Sequence, residues 1–172
     1  MSVTYTADSY IMLGVRSPTI DWGLLRHIVP AGRLKPSEHD PFSGIIAEYH
    51  EELGIKLDEI KRVSCVGVVA DETWGRLNYE FVFVGFVELT AAEIVERAHS
   101  AKSAGEHCQL EAVCGDTDHA YWLMRSDPTG FVPTGMAGLW LATKGRDLEP
   151  FWIPAHKTYE EHMGRRIPML MR

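Results

Sequence analysis

Apolar and polar positions along the chain follow two different periods. Residues 10–15, Y-I-M-L-G-V, form a short apolar run that predicts a buried strand, ended by Ser17-Pro18. Residues 24–29 predict a second, weaker strand before Pro30-Ala31-Gly32 breaks the pattern. The period then lengthens. Phe42, Ile45, Ile46, Tyr49 and Leu53 fall at i, i+3, i+4, i+7 and i+11, which predicts one apolar stripe on a helix over residues 40–54. Asp40 suits its N-cap, Pro41 its first position and Gly54 its end. Residues 63–70 and 79–87 are β-rich and flank the turn-like residues 71–76, so they predict a hairpin. Residues 91–101 predict a helix. Residues 103–119 are polar, carry Gly105 and Gly115, and read as a loop; residues 120–124 read as a short returning strand, and 139–142 as part of a helix.

Composition narrows the class. The chain has 172 residues, 45% hydrophobic and 24% charged, which suits one globular domain. A chain of this length buries about 70% of its unfolded surface, so neither a disulfide nor a metal is needed merely to fold. Seventeen basic against 24 acidic residues leave a formal charge of −7, which argues against a clamp for nucleic acid polymers. A phosphate ligand would then need a cation from elsewhere, and a bound metal ion is the simplest source. Three cysteines, without C-x-x-C, fit a reducing compartment. The first residues lack a basic and then apolar leader, and no apolar run approaches the roughly 18 residues of a membrane span. The expectation is a soluble cytoplasmic protein with no membrane partner.

The densest chemistry lies on the 40–54 helix. Glu48, Glu51 and Glu52 sit off the apolar stripe, and Glu48 is three and four residues from the other two. Each like-charged pair at such spacing costs roughly 0.2–0.5 kcal/mol, and no Lys or Arg stands between positions 40 and 55 to relieve them. Two readings follow. The glutamates form a solvated helix face, or a divalent cation such as Mg²⁺ occupies them through hard oxygen ligands. A carbonyl of the Pro30-Ala31-Gly32 turn could add a ligand.

This stretch resembles the Nudix box, G-x5-E-x7-R-E-U-x-E-E-x-G-U with U apolar. It matches at Gly32, Glu38, Glu48, Tyr49, Glu51, Glu52, Gly54 and Ile55, and Pro30-Ala31-Gly32 is similar to the P-G-G that leads into the box. Two departures stand out. Eight residues rather than seven separate Glu38 from the arginine slot, the extra one being expected in the loop ahead of Pro41, and the slot itself holds Ala47. In the family that arginine orients the neighbouring carboxylates through salt bridges.

The resemblance implies an α/β fold, an α/β/α sandwich around a mixed, partly curled sheet. It would span residues 3–145, with a C-terminal extension, 146–172, packing on the domain or on a second subunit of a homodimer. It implies a metal-dependent hydrolase of a nucleoside diphosphate linked to another moiety, or of a similar small-molecule pyrophosphate. Glu48, Glu51 and Glu52, with the Ala31 carbonyl, would hold Mg²⁺ or Mn²⁺. The metal would neutralise the diphosphate and acidify a bound water. The general base stays open between Glu48 in the box and two later acids, Glu106 and Glu111. Arg33 and Lys35 flank the box as candidate phosphate contacts, as does Arg16, and Trp74 at the hairpin tip either stacks on a base or covers the sheet. The alternative is a catalytically weak Nudix-fold module that binds nucleotides or regulates, with Ala47 as its support. His99, His107, Cys108, Cys114 and His119 crowd one region, but their spacing fits no familiar zinc finger or ribbon. Neither G-x-x-x-x-G-K-[ST] nor G-x-S-x-G occurs.

Overall fold

Alternation of burial in adjoining strands builds a sheet with two covered faces. The computed structural model describes residues 1–35, 40–72 and 77–143. Among these residues six strands, β1 (Ser2–Tyr5), β2 (Tyr10–Arg16), β3 (Arg26–Ile28), β4 (Ile60–Asp71), β5 (Asn78–Val87) and β6 (His107–Cys114), form one sheet. Its order is β3-β2-β1-β5-β4, with β6 also paired to β2. The pairing of β1 with β5 is parallel and the others are antiparallel, so the sheet is mixed.

Among the described residues, four helices cover it: α1 (Pro41–Leu53), α2 (Ala91–Ala98), α3 (Thr117–Ser126) and α4 (Pro133–Thr143). On one face Met12, Phe83 and Val87 pack against Ile45, Tyr49 and Leu53 of α1 and Ile94 of α2. On the other, Val3, Ile11, Leu13 and Val82 pack against Ala120 and Met124 of α3 and Met136 and Leu139 of α4. Each fully buried side chain of this size contributes about 1.5–3 kcal/mol relative to exposure. The result is the expected α/β/α sandwich with a curled mixed sheet.

The predicted hairpin is β4–β5, and the helix over 40–54 is α1, its ends set as the local residues dictate. The Asp40 carboxylate accepts from the N–H groups of Phe42 and Ser43. Gly54 ends the helix at φ 65°, a left-handed conformation that glycine takes without a Cβ clash. Three expectations need correction. Residues 103–119 are not a loop: β6 runs through them and α3 begins at Thr117. Residues 120–124 are not a strand but the middle of α3, capped by the Asp116 carboxylate on the Asp118 and His119 N–H groups. The helix over 91–101 stops at Ala98. Strand β1 was not anticipated, and β3 is shorter than residues 24–29. Glu38, Trp74 and the C-terminal extension lie outside the described residues. Among the described residues, no helix is long and apolar enough to cross a membrane.

Candidate functional site

Helix α1 buries an arc made of Gly44, Ile45, Glu48, Tyr49, Glu52 and Leu53. Two of the three glutamates therefore do not lie off the buried stripe. Glu48 is 8% exposed and Glu52 3%, while the expected stripe member Phe42 is 47% exposed and rests edge-on against Phe83. A carboxylate is brought this far inside a fold only with partners or at substantial cost.

The partners come from outside the helix. Glu52 Oε1 accepts from the Ala31 N–H at 2.9 Å, and Glu52 Oε2 lies 3.0 Å from His107 Nε2. Glu51 Oε2 accepts from Lys35 Nζ at 3.1 Å, and Glu51 Oε1 lies 2.9 Å from Lys102 Nζ. Lys35 Nζ is also 3.6 Å from Glu48 Oε1, so one ammonium is shared between two carboxylates. The local sequence around α1 lacks cations; tertiary contacts supply them. Gly32 has a steric role here, because a Cβ at that position would overlap the Glu48 carboxylate. The turn and the helix thus meet face to face.

These surroundings separate the acids. Burial, then the charge of Glu52, pushes the Glu48 carboxyl above its ordinary range, with Lys35 opposing and Glu51 and Glu106 adding to the rise. Hydrogen bonds from Lys102 and then Lys35 hold Glu51 below its ordinary range. The two carboxyls are thus pushed apart in acidity by different causes, burial for one and ammonium partners for the other.

The later acids divide between the two faces of the sheet. Glu106 stands just before β6, and its charge acts on Glu48. Glu111, expected in a loop, is on β6 opposite Leu13, whose side chain belongs to the α3/α4 core. There it is held by Arg26 Nε at 2.7 Å, and Arg26 Nη1 reaches Asp127 Oδ2 at 2.8 Å. The structure brings Ala31, Lys35, Glu48, Glu51, Glu52 and Glu106 together, and leaves Glu111 on the opposite face. Arg33 is exposed on the turn, and Arg16 donates from Nε to the Asp21 carbonyl. Sequence reasoning missed Lys102 and His107 as members of this cluster. Lys102 comes from the segment joining α2 to β6 and His107 from the first position of β6, and only the fold places them there.

Do these residues suit a divalent cation? Their donors are hard carboxylate oxygens, and Lys35 already places one positive charge between Glu48 and Glu51 as a stand-in ion. The carboxylate of Glu52 keeps lone pairs beyond its two hydrogen bonds. Among the described residues, no three His, Cys, Asp or Glu side chains form a ready cage. The fit is one of donor chemistry and charge, with the lysine where a metal's charge would fall.

No family model matches the chain, and no curated protein does. Solved structures do. The Nudix hydrolase RenU of M. smegmatis superposes with a TM-score of 0.55 at 13% identity, over 89% of this chain and 86% of its own. A Nudix hydrolase from Nitrosomonas europaea gives 0.55 at 15%, over 87% and 95%. A C. elegans Ap4A hydrolase gives 0.54 at 16%, over 85% and 94%. With a mixed curled sheet between two helical layers, and the carboxylate helix on one face, the fold of this chain is that of the Nudix hydrolase superfamily.

Proposed function

We propose that this chain is a metal-dependent hydrolase of a nucleoside diphosphate linked to another moiety, or of a similar small-molecule pyrophosphate. The observation that carries this reading is the packing of Glu48 and Glu52 inside the fold, beside Glu51, with a single ammonium shared between Glu48 and Glu51. A solvated helix face would leave all three glutamates in water. The named activity of the C. elegans neighbour, an Ap4A hydrolase, is in keeping with a nucleotide phosphoanhydride as substrate.

Glu48, Glu51 and Glu52 would hold Mg²⁺ or Mn²⁺, with the Ala31 carbonyl as a further ligand. When bound, the metal supplies charge neutralisation of the diphosphate and a water of lowered pKa. The chain's residues do the rest. Lys35 is freed from the carboxylates to meet phosphate oxygens, and Arg33 lies on the same turn. Glu48 would take a proton from the attacking water, and Glu106, whose charge acts on Glu48, is the alternative base on this face. Glu111 is withdrawn from that role by Arg26 and by its side of the sheet. Positioning and charge carry most of such phosphoryl chemistry.

A second reading has its own support. With Ala47 in the arginine slot and lysines already on Glu51, the chain would bind nucleotides without efficient turnover. A panel of nucleoside diphosphate derivatives separates the two. Phosphate or nucleotide release that needs Mg²⁺ or Mn²⁺ supports the hydrolase. A metal-plus-nucleotide rise in Tm without release supports the binding module. Neither effect across the panel refutes both.

A further inference from the structure

We propose that His107 is the positioning residue for Glu52, holding one carboxylate oxygen in place from a neighbouring strand. This rests on the metal-dependent reading above.

The inference starts from a strand irregularity. Along β2 and β6, Val15 pairs with Gln109, yet the next residue, Arg16, pairs with His107, so Cys108 is an extra residue. Such a bulge re-aims the side chains beyond it. Before it, Glu111 and Val113 face the α3/α4 core. After it, His107 turns to the α1 face and meets Glu52 Oε2 at 3.0 Å. Without the bulge, alternation would send His107 to the face that Glu111 occupies.

The contact is enclosed. The His107 side chain is 7% exposed and that of Glu52 1%. A carboxylate accepts, so Nε2–H is the donor of this contact. Nδ1 is buried with no hydrogen-bond partner. The ring is therefore held by Glu52 on one side and by shape on the other: it lies over Gly14, where a Cβ would overlap it, with Val29 beside the same position. A buried imidazole that leaves one nitrogen unsatisfied to aim the other at a carboxylate serves that carboxylate's orientation. With the Ala31 N–H on Oε1, both oxygens of Glu52 are fixed from outside the helix. The α2–β6 segment is anchored for the purpose, since the Ser103 N–H donates to the Glu51 carbonyl at 2.8 Å.

The test is Mn²⁺ binding, followed by electron paramagnetic resonance, in the full chain and in E52Q, H107Q and H107F, with metal-free Tm as the folding control. Gln keeps an N–H donor near the Nε2 position, while Phe fills the space without one. The expected result is that H107F binds Mn²⁺ about 10- to 100-fold more weakly, as loss of a hydrogen bond to a ligand commonly does, while H107Q stays within about threefold of wild type on the same scale. Wild-type affinity in H107F, or equal loss in H107Q and H107F, overturns the proposal. Unchanged binding in E52Q instead sinks the metal reading on which it rests.

Discussion

Two groups of acids stand on opposite faces of the same sheet, and their neutralisation differs. On the α3/α4 face, Glu111 and Asp127 share one guanidinium, which also sits 5.9 Å above the Phe131 ring. The planar fork of Arg26 meets each carboxylate at close range, and nothing about that group calls for a further ligand. On the α1 face, Glu48 is nearly enclosed, and its cationic partner among the described residues is a lysine 3.6 Å away, shared with Glu51. A charge buried with an incomplete partner is a poor structural device and a good receptor for a cation. The difference teaches which acids hold the fold together and which are available for chemistry, a distinction that residue type alone does not make.

The sharpest way to break this comparison is to neutralise one acid from each face. Glu51→Gln and Glu52→Gln should each remove most metal-dependent turnover, a loss of about 10²-fold or more, as for a group acting directly in phosphoryl chemistry. Glu111→Gln should leave turnover within a few-fold of wild type; a hundredfold loss would restore it as a base. A second test reads stability instead. Arg26→Ala strands two carboxylates, and partial exposure of all three groups limits the cost to about 1–2 kcal/mol, measured by urea unfolding.

A third prediction concerns pH. Next to Arg26, His27 is buried with Nδ1 2.7 Å from the Ile28 carbonyl, and burial lowers its pKa from 6.5 to about 3. The folded imidazole stays neutral where the unfolded one takes a proton. Stability should be full above pH 6.5 and decline as pH falls toward about 3, by up to about 1.4 kcal/mol per pH unit. His27→Gln should flatten that slope relative to wild type, and an unchanged slope would contradict a buried neutral imidazole. The smallest effect is expected from Ala47→Arg. An arginine there would stand four residues from Glu51, which Lys35 and Lys102 already neutralise. We expect less than about a threefold change in kcat/KM, in line with the few tenths of a kcal/mol of an i,i+4 pair. A tenfold gain would show that the missing arginine limits the site.

How much of this was legible in the chain depended on how local the cause was. Helix α1 is written in its own residues, through the cap at Asp40, the proline after it and Gly54 at the end. The three glutamates were legible as a cluster for the same reason. Their burial was not, because apolar counting places Phe42 and Ile46 on the inner face and the fold chooses Glu48 and Glu52. Strand β6 is hard to read because polar residues and glycines flank it on both sides, at 103–106 and 115–119, and mask its short apolar text. Helix α3 reads as a strand from the run Tyr121-Trp122-Leu123-Met124; of its residues Ala120 and Met124, one helical turn apart, are buried, and the cap at Asp116 is the signal that marks a helix. Lys102 carries no local signal, and His107 only its place in a crowd of histidines and cysteines whose spacing fits no zinc finger or ribbon. Their roles come from a register shift between β2 and β6 and from a turn docked on α1.

The central claim is that the α1 carboxylates act through a bound divalent cation on a phosphoanhydride. It is tested most directly by phosphate release from a panel of nucleoside diphosphate derivatives, with Mg²⁺ or with EDTA, for wild type, Glu51→Gln and Glu52→Gln. The account predicts release by the wild-type chain with Mg²⁺ alone and little in either variant. Equal release with EDTA, or full release by both variants, would contradict it.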